Sequence, residues 1–363
     1  MYNKDSILSQ LEAEIIEQPL PVPEVVHADK WLVSSMLQKS VRRGEHERAL
    51  RAAYSLGRLD KDSFWRRCHV LALEDVGMVS PDVIVPVLVA TASAAWRRRT
   101  TDWRVALHLT RMMCSAAKTR MADEILMQAE KAKHLMPLRC ELAAADDHTL
   151  TGYVIDERRP LVERCLSLWY LAGTQRFTTD NMPQRHGSID RAVEVLRAVN
   201  APASITESCI AVLRRTQWPL SLFSPLIHQH IQRLSLQHRS YDVPPAPEVD
   251  GLPIYAADWY TRTGRTCFQR LRNAVPALKP FSTQQVGFGV FYAEGQLIDR
   301  TLTAPELEAI KQAGEDADME FTGCSPAQAK ELRQILHESI GLLTEIRLEQ
   351  LRRYLPTVAK VEA

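Results

Sequence analysis

Apolar residues recur at helical spacing through most of the chain. In residues 1–18, Ile7, Leu8, Leu11 and Ile15 share one face. Pro19, Pro21 and Pro23 then stop the helix and predict a stiff, extended linker. In residues 30–43, Val33, Met36, Leu37 and Val41 lie on one face, and Gly44 follows where a helix end accepts a left-handed residue. Further helices are expected over 46–56 and 61–76, the second closed by Gly77. Ser80-Pro81 offers an N-cap followed by proline at the first helical position. Ser204-x-x-Glu207 and Thr303-x-x-Glu306 have capping-box spacing. Ser325-Pro326-Ala327-Gln328 opens the longest helix, with Leu332, Ile335, Leu336, Leu342, Leu343 and Ile346 along one side.

One stretch departs from this period. Val286 to Tyr292, the turn-like Ala293-Glu294-Gly295-Gln296, and Leu297 to Arg300 read as two short strands around a glycine-containing turn. The expected fold is therefore mainly α: a multi-helix bundle or helical array with one small β-hairpin near 286–300. The proline-rich run 243–251 is the preferred boundary. It divides the chain into 1–29 (helix and proline-rich linker), 30–240 (helical domain) and 252–363 (helical region with the hairpin).

Composition narrows the class. With 363 residues and 45% hydrophobic content, the chain can build one large or two moderate cores. No apolar run reaches the ~18–20 residues that span a bilayer, and the N-terminus has no basic head before an apolar stretch. Seven scattered cysteines without a Cys-x-x-Cys point to free, mostly buried thiols. His228-Gln229-His230 would point its rings apart on a helix. Neither a metal nor a cofactor is expected. The net charge of +1 conceals clustering: Arg42-Arg43, Arg66-Arg67, Arg97-Arg98-Arg99, Arg158-Arg159, Arg214-Arg215 and Arg352-Arg353, with acid concentrated at 315–320.

Two segments carry a family resemblance. Gln38-Lys39-Ser40-Val41-Arg42-Arg43-Gly44-Glu45 and Ala72-Leu73-Glu74-Asp75-Val76-Gly77 flank Trp65-Arg66-Arg67, and Ser80-Pro81-Asp82 follows. Residues 30–95 resemble the helical C-terminal region of the RarA/MgsA-type, clamp-loader-like ATPases of DNA replication. The resemblance implies DNA metabolism and self-association, since in that family this region supports oligomer assembly. It implies no catalytic residue, because the family's ATP site lies in a domain for which the roughly 30 preceding residues are too few. No Gly-x-x-x-x-Gly-Lys-Ser/Thr occurs, so ATP hydrolysis is not expected. Glu74 and Asp75 can equally serve as structural partners of Lys39 or Arg42 across two packed helices.

Two constellations suggest chemistry. Trp65-Arg66-Arg67, Trp96-Arg97-Arg98-Arg99 and Trp103-Arg104 pair flat rings with guanidinium forks, which suits bases and phosphates. The expected DNA-binding set is Lys39, Arg42, Arg43, Arg66, Arg67, Trp96, Arg97, Arg98, Arg99, Arg104 and Arg265. The alternative is that each Trp anchors a helix while the arginines are solvated. The run 254–265 packs Asp258, Trp259, Tyr260, Thr261 and Arg262 into a few residues. Such a run suits a pocket for an extruded base, with Asp258 stabilising positive charge on the sugar. In the competing reading Asp258 caps a helix and the aromatics fill the core.

The function expected is DNA binding in replication, repair or genome (anti-phage) defence. The alternatives are a helical DNA glycosylase acting on a modified or damaged base, and a protein-interaction scaffold of a replication complex built on helix 326–353. Expected partners are DNA, further copies of the chain or replication proteins, without a membrane, at a cytoplasmic, nucleoid-associated location.

Overall fold

Capping chemistry sets many helix starts. Asn3, Asp29, Asp60, Asp146, Ser188 and Thr261 each accept backbone N–H groups at the head of the helix that follows. Ser325 and Gln328 satisfy each other's N–H groups reciprocally and open Pro326–Ala359. The other two capping-box spacings are not used. Ala203–Thr216 starts one residue before Ser204, after Pro202. Thr303 is held in a strand, and the helix after it begins at Pro305.

The computed structural model describes residues 3–176, 181–239, 243–295 and 299–359. Among the described residues there are eighteen α-helices and four short strands, so the fold is mainly α. The expected hairpin at 286–300 is corrected: Thr283–Gly295 is a helix, and 296–298 lie outside the described residues. Two glycines inside the expected first strand serve helix packing instead. A Cβ on Gly287 would strike the Trp259 ring and approach Phe268 at 3.2 Å. One on Gly289 would lie 2.7 Å from Leu336. Two helices can approach closely only where the side chain is missing.

The small hairpin lies earlier in the chain. Glu248–Val249 pairs with Leu252–Pro253, and Asp250-Gly251 turns the chain with φ of 49° and 76°. Asp-Gly is a favoured sequence for a two-residue turn with both φ positive. A second ladder pairs Gln237–Arg239 with Thr301–Thr303.

Among the described residues two apolar cores form, with a small third cluster of Ala132, Leu135 and Ala317. The larger runs from Leu8 to Ala257 and takes in Ala304, Leu307, Leu351 and Leu355. Leu8, Leu11 and Ile15 of the first helix belong to it. The smaller is built from Arg262–Ala274, Thr283–Gly295 and Pro326–Ala359, through Phe268, Leu271, Val286, Leu332 and Leu343. No helix among the described residues is long and apolar enough to cross a membrane.

Candidate functional site

Lys30–Arg42 has two distinct sides. Leu32, Val33, Met36, Leu37 and Val41 enter the large core. Ser35, Gln38, Lys39 and Arg42, spaced by three or four residues, form a polar stripe that is also largely removed from water. Buried polar groups need partners, and this stripe finds them in segments far away in sequence.

Ser35 and Lys39 of the stripe meet Asp258, 219 residues from Lys39. Lys39 Nζ lies 2.5 Å from Asp258 Oδ2 and donates to Ser35 Oγ at 2.9 Å. Ser35 Oγ donates to the same carboxylate at 2.7 Å, and Tyr260 N–H donates to Oδ1 at 2.9 Å. Burial pushes the Asp258 carboxyl up, but the charge and hydrogen bond of Lys39 outweigh it and hold the group below the usual range. Burial of the Lys39 ammonium exceeds the pull of Asp258, so its pKa is lowered despite the ion pair.

Gln38 and Arg42 meet the turn Ala72–Val76, a π-helical turn closed by Gly77 at φ 72°. Gln38 Nε2 donates to Glu74 Oε1 and Asp75 Oδ2, both at 3.0 Å. Arg42 Nε pairs with Asp75, and Arg120 reaches the same oxygen at 2.7 Å. The Phe291 ring lies under both guanidiniums, 5.4 Å from Arg42 and 5.3 Å from Arg120. Burial, then the charges of Asp123 and Asp75, push the Glu74 carboxyl up to about 7 against the pull of Arg120 and Arg42.

A cavity of about 230 Å³ adjoins this network, lined among others by Lys39, Arg42, Tyr255, Phe291 and Glu294. Arg347 fixes the segment before Asp258, donating to Ala257 O at 3.1 Å and pairing with Glu294. Elements of both cores thus converge on one polar centre.

The residues expected from sequence divide sharply. Asp258 is not a helix cap; Thr261 is, accepting Gly264 N–H at 2.9 Å, so Thr261 is spent on the fold rather than on a ligand. Trp259 packs edge-on against Phe288 at 6.2 Å. Tyr260 is 66% exposed, Arg262 and Arg265 are exposed, and Asp258 is half-buried.

Of the expected DNA-binding set, Lys39 and Arg42 are held inside by Asp258 and Asp75, a correction to their reading as phosphate contacts. Arg97 is also internal: it donates to Ala90 O and Thr91 O, pairs with Asp102, and stacks on Trp65 at 4.0 Å. Trp96 is buried and donates to Glu12, and Arg43 is bonded to Glu45 and Pro244 O. Arg67 is bonded to Ser34 and Gln38. Arg66, Arg98, Arg99 and Arg104 remain exposed.

Arg66 lines a groove of about 520 Å³ with Asp62, Trp65, His69, Arg97, Arg215 and Trp218. Arg215 donates to Thr91 O, and among the described residues neither Arg66 nor Arg215 has a carboxylate partner. Burial holds His69 at about 4, so it is neutral at pH 7. Trp218, which also lines this groove, is 38% exposed.

Sequence reasoning missed Ser35, Gln38, Arg120, Glu294 and Arg347 at the polar centre, and Trp218 at the groove. The stripe on Lys30–Arg42 gave no local signal of burial, because polar residues opposite an apolar face are ordinarily solvated. Among the described residues, no cluster of three or more His, Cys, Asp or Glu could hold a metal ion. No protein-family model matches the chain, and neither does any curated protein or solved structure.

Proposed function

We propose that the chain binds DNA through the groove of Arg66, Arg215 and Trp218, as a protein of replication, repair or genome defence. The carrying observation is that two guanidiniums without carboxylate partners share a groove with a part-exposed indole. Such forks match phosphate oxygens, and an indole face stacks on any base. The resemblance to the clamp-loader-like ATPases points to the same field. Its two segments pack together through Gln38 with Glu74 and Arg42 with Asp75. The test is titration of labelled single- and double-stranded DNA with wild type and with Arg66→Glu/Arg215→Glu. Binding should fall steeply in the double variant. Equal affinity in a folded variant would remove this groove from the interface.

A second reading, hydrolysis of an N-glycosidic bond, is favoured by Asp258. Its carboxylate is held ionised, and Tyr260, whose N–H it accepts, is open to solvent. As the base leaves, positive charge grows on the sugar, and a fixed carboxylate in a dry site stabilises that charge more than water does. Incubation with normal duplex and with duplex carrying damaged or glucosylated bases should yield alkali-labile breaks on the right substrate. Intact strands on every such duplex would defeat the reading for those bases.

A further inference from the structure

We propose that an aromatic pocket among the helices His46–Leu59, Lys61–Leu71 and Asp102–Ser115 receives one unpaired base of a single DNA strand whose phosphates lie in the groove of Arg66 and Arg215. The inference rests on the first reading, DNA binding through that groove, and narrows it to a strand with free bases.

Three observations carry it. First, two aromatic pairs line one cavity of about 290 Å³. Tyr54 meets Trp103 edge-on at 6.1 Å, and Phe64 meets Trp65 edge-on at 4.9 Å. The volume lies just below the roughly 300–1,000 Å³ of sites that enclose drug-sized ligands, which suits a single ring system. Second, the pocket and the groove share a wall. On helix Lys61–Leu71, Lys61 and Phe64 line the pocket, Asp62, Arg66 and His69 line the groove, and Trp65 lines both. These are adjacent faces of one helix, so the two sites lie within one helix diameter of each other, about 10 Å.

Third, charge selects the class of ligand. Aromatic cages can hold quaternary ammonium ions. Here, however, the Asp102 carboxylate is already paired with Lys61 and Arg97. The exposed Arg58 also lines the pocket, over the Tyr54 ring at 5.9 Å. A cation would be repelled by Arg58 and Lys61, whereas a base is neutral and its flanking phosphate is attracted by them. Ring faces stack on any base, so no sequence is read. Extrusion from a duplex costs pairing and stacking, so a strand with free bases is preferred. Thr101, the residue before Asp102 and Trp103, is β-branched yet holds φ 79° and ψ 103°, a costly backbone state of a kind that clusters at ligand sites.

The test uses the full-length protein and a single strand carrying 5-iodouracil. Irradiation of the complex should join the base to Tyr54 or Trp103, and peptide mapping of the wild-type adduct reads this without any variant. Gly57 also lines the pocket, and a Cβ there meets nothing within 4 Å. Gly57→Trp should fill the pocket, remove that crosslink and weaken single-strand binding about 5- to 150-fold, the worth of one base stack, with duplex binding unchanged. Gly152→Trp, at an equally open helical glycine that lines neither cavity, should change nothing. Crosslinks confined to Trp218 or to other residues outside the pocket would overturn the proposal. So would undiminished single-strand affinity in a folded Gly57→Trp, or displacement of the pocket crosslink by tetramethylammonium but not by sodium at equal ionic strength. Wild type that binds no DNA would defeat the groove reading and this one with it; wild type that binds the strand without a pocket crosslink would defeat only this one.

Discussion

At the scale of single residues, the decisive pair is Lys39 with Asp258. Asp258→Asn keeps the shape but leaves a largely buried ammonium without its counter-charge. Breaking a buried pair by removing one partner costs roughly 3–5 kcal/mol, and this pair, not fully enclosed, should fall near the lower figure. A helix cap would behave differently, because Asn caps about as well as Asp. Thermal or denaturant melting distinguishes the two; an unchanged midpoint would mean that the ion pair is not holding the site. Base excision, where present, should vanish in the same variant while DNA affinity through the groove of Arg66 and Arg215, which Asp258 does not line, persists. Glu74 gives a second prediction. Its folded pKa, about 7, lies above the ordinary 4.5, so the native state holds this proton more tightly than the unfolded chain does. That contribution is complete below about pH 4.5 and is lost as pH rises through about 7. His69, at about 4, acts in the opposite sense, its contribution being lost as pH falls from 6.5 through about 4. The two overlap, so the readout is the difference between wild type and Glu74→Gln. Wild type should lose stability relative to the variant across pH 4.5–7, by on the order of 2 kcal/mol. A flat difference would refute the assignment.

At the scale of elements, glycine has two opposite roles. Gly287 and Gly289 let Thr283–Gly295 lie close against Trp259, Phe268 and Leu336. Gly287→Ala should therefore cost about 1–3 kcal/mol through overpacking. At Gly57, within His46–Leu59, an added methyl group would meet nothing within 4 Å. Gly57→Ala should stabilise by up to about 1 kcal/mol, because glycine is a poor helix former. Melting of the two variants should shift in opposite directions, and a shift of the same sign would contradict the packing described. The Asp250-Gly251 turn was legible in the sequence, flanked by Val249 and Leu252, yet the proline-rich context masked it. The Val286–Tyr292 run misled because β-branched and aromatic residues fit strands and tightly packed helices alike.

At the scale of the whole molecule, the near-neutral net charge is a poor guide to partners, because many charges cancel inside. Arg42, Arg97, Arg120 and Arg347 all have carboxylate partners within the fold. The free positive surface lies instead along the groove of Arg66 and Arg215 and at Arg98, Arg99 and Arg104. DNA binding should weaken with salt by about 0.9 log unit per log unit of salt for each phosphate contact. Arg66→Glu/Arg215→Glu should flatten that slope by about two contacts' worth, while Arg158→Glu, an exposed arginine paired with Asp156, should leave it alone. Identical slopes for wild type and the double variant would place the DNA elsewhere.

The sequence by itself determined the helical class, the cap at Ser325, the terminating role of Gly77, and the burial of most thiols. These follow from periodicity, local hydrogen bonding and backbone freedom, which act over a few residues. Tertiary structure alone decided which arginines face water, that Lys39 and Asp258 meet, and that the 286–295 run is a helix. Those outcomes depend on desolvation and on contacts between segments as much as 219 residues apart, and local sequence does not encode which distant segment supplies a counter-charge.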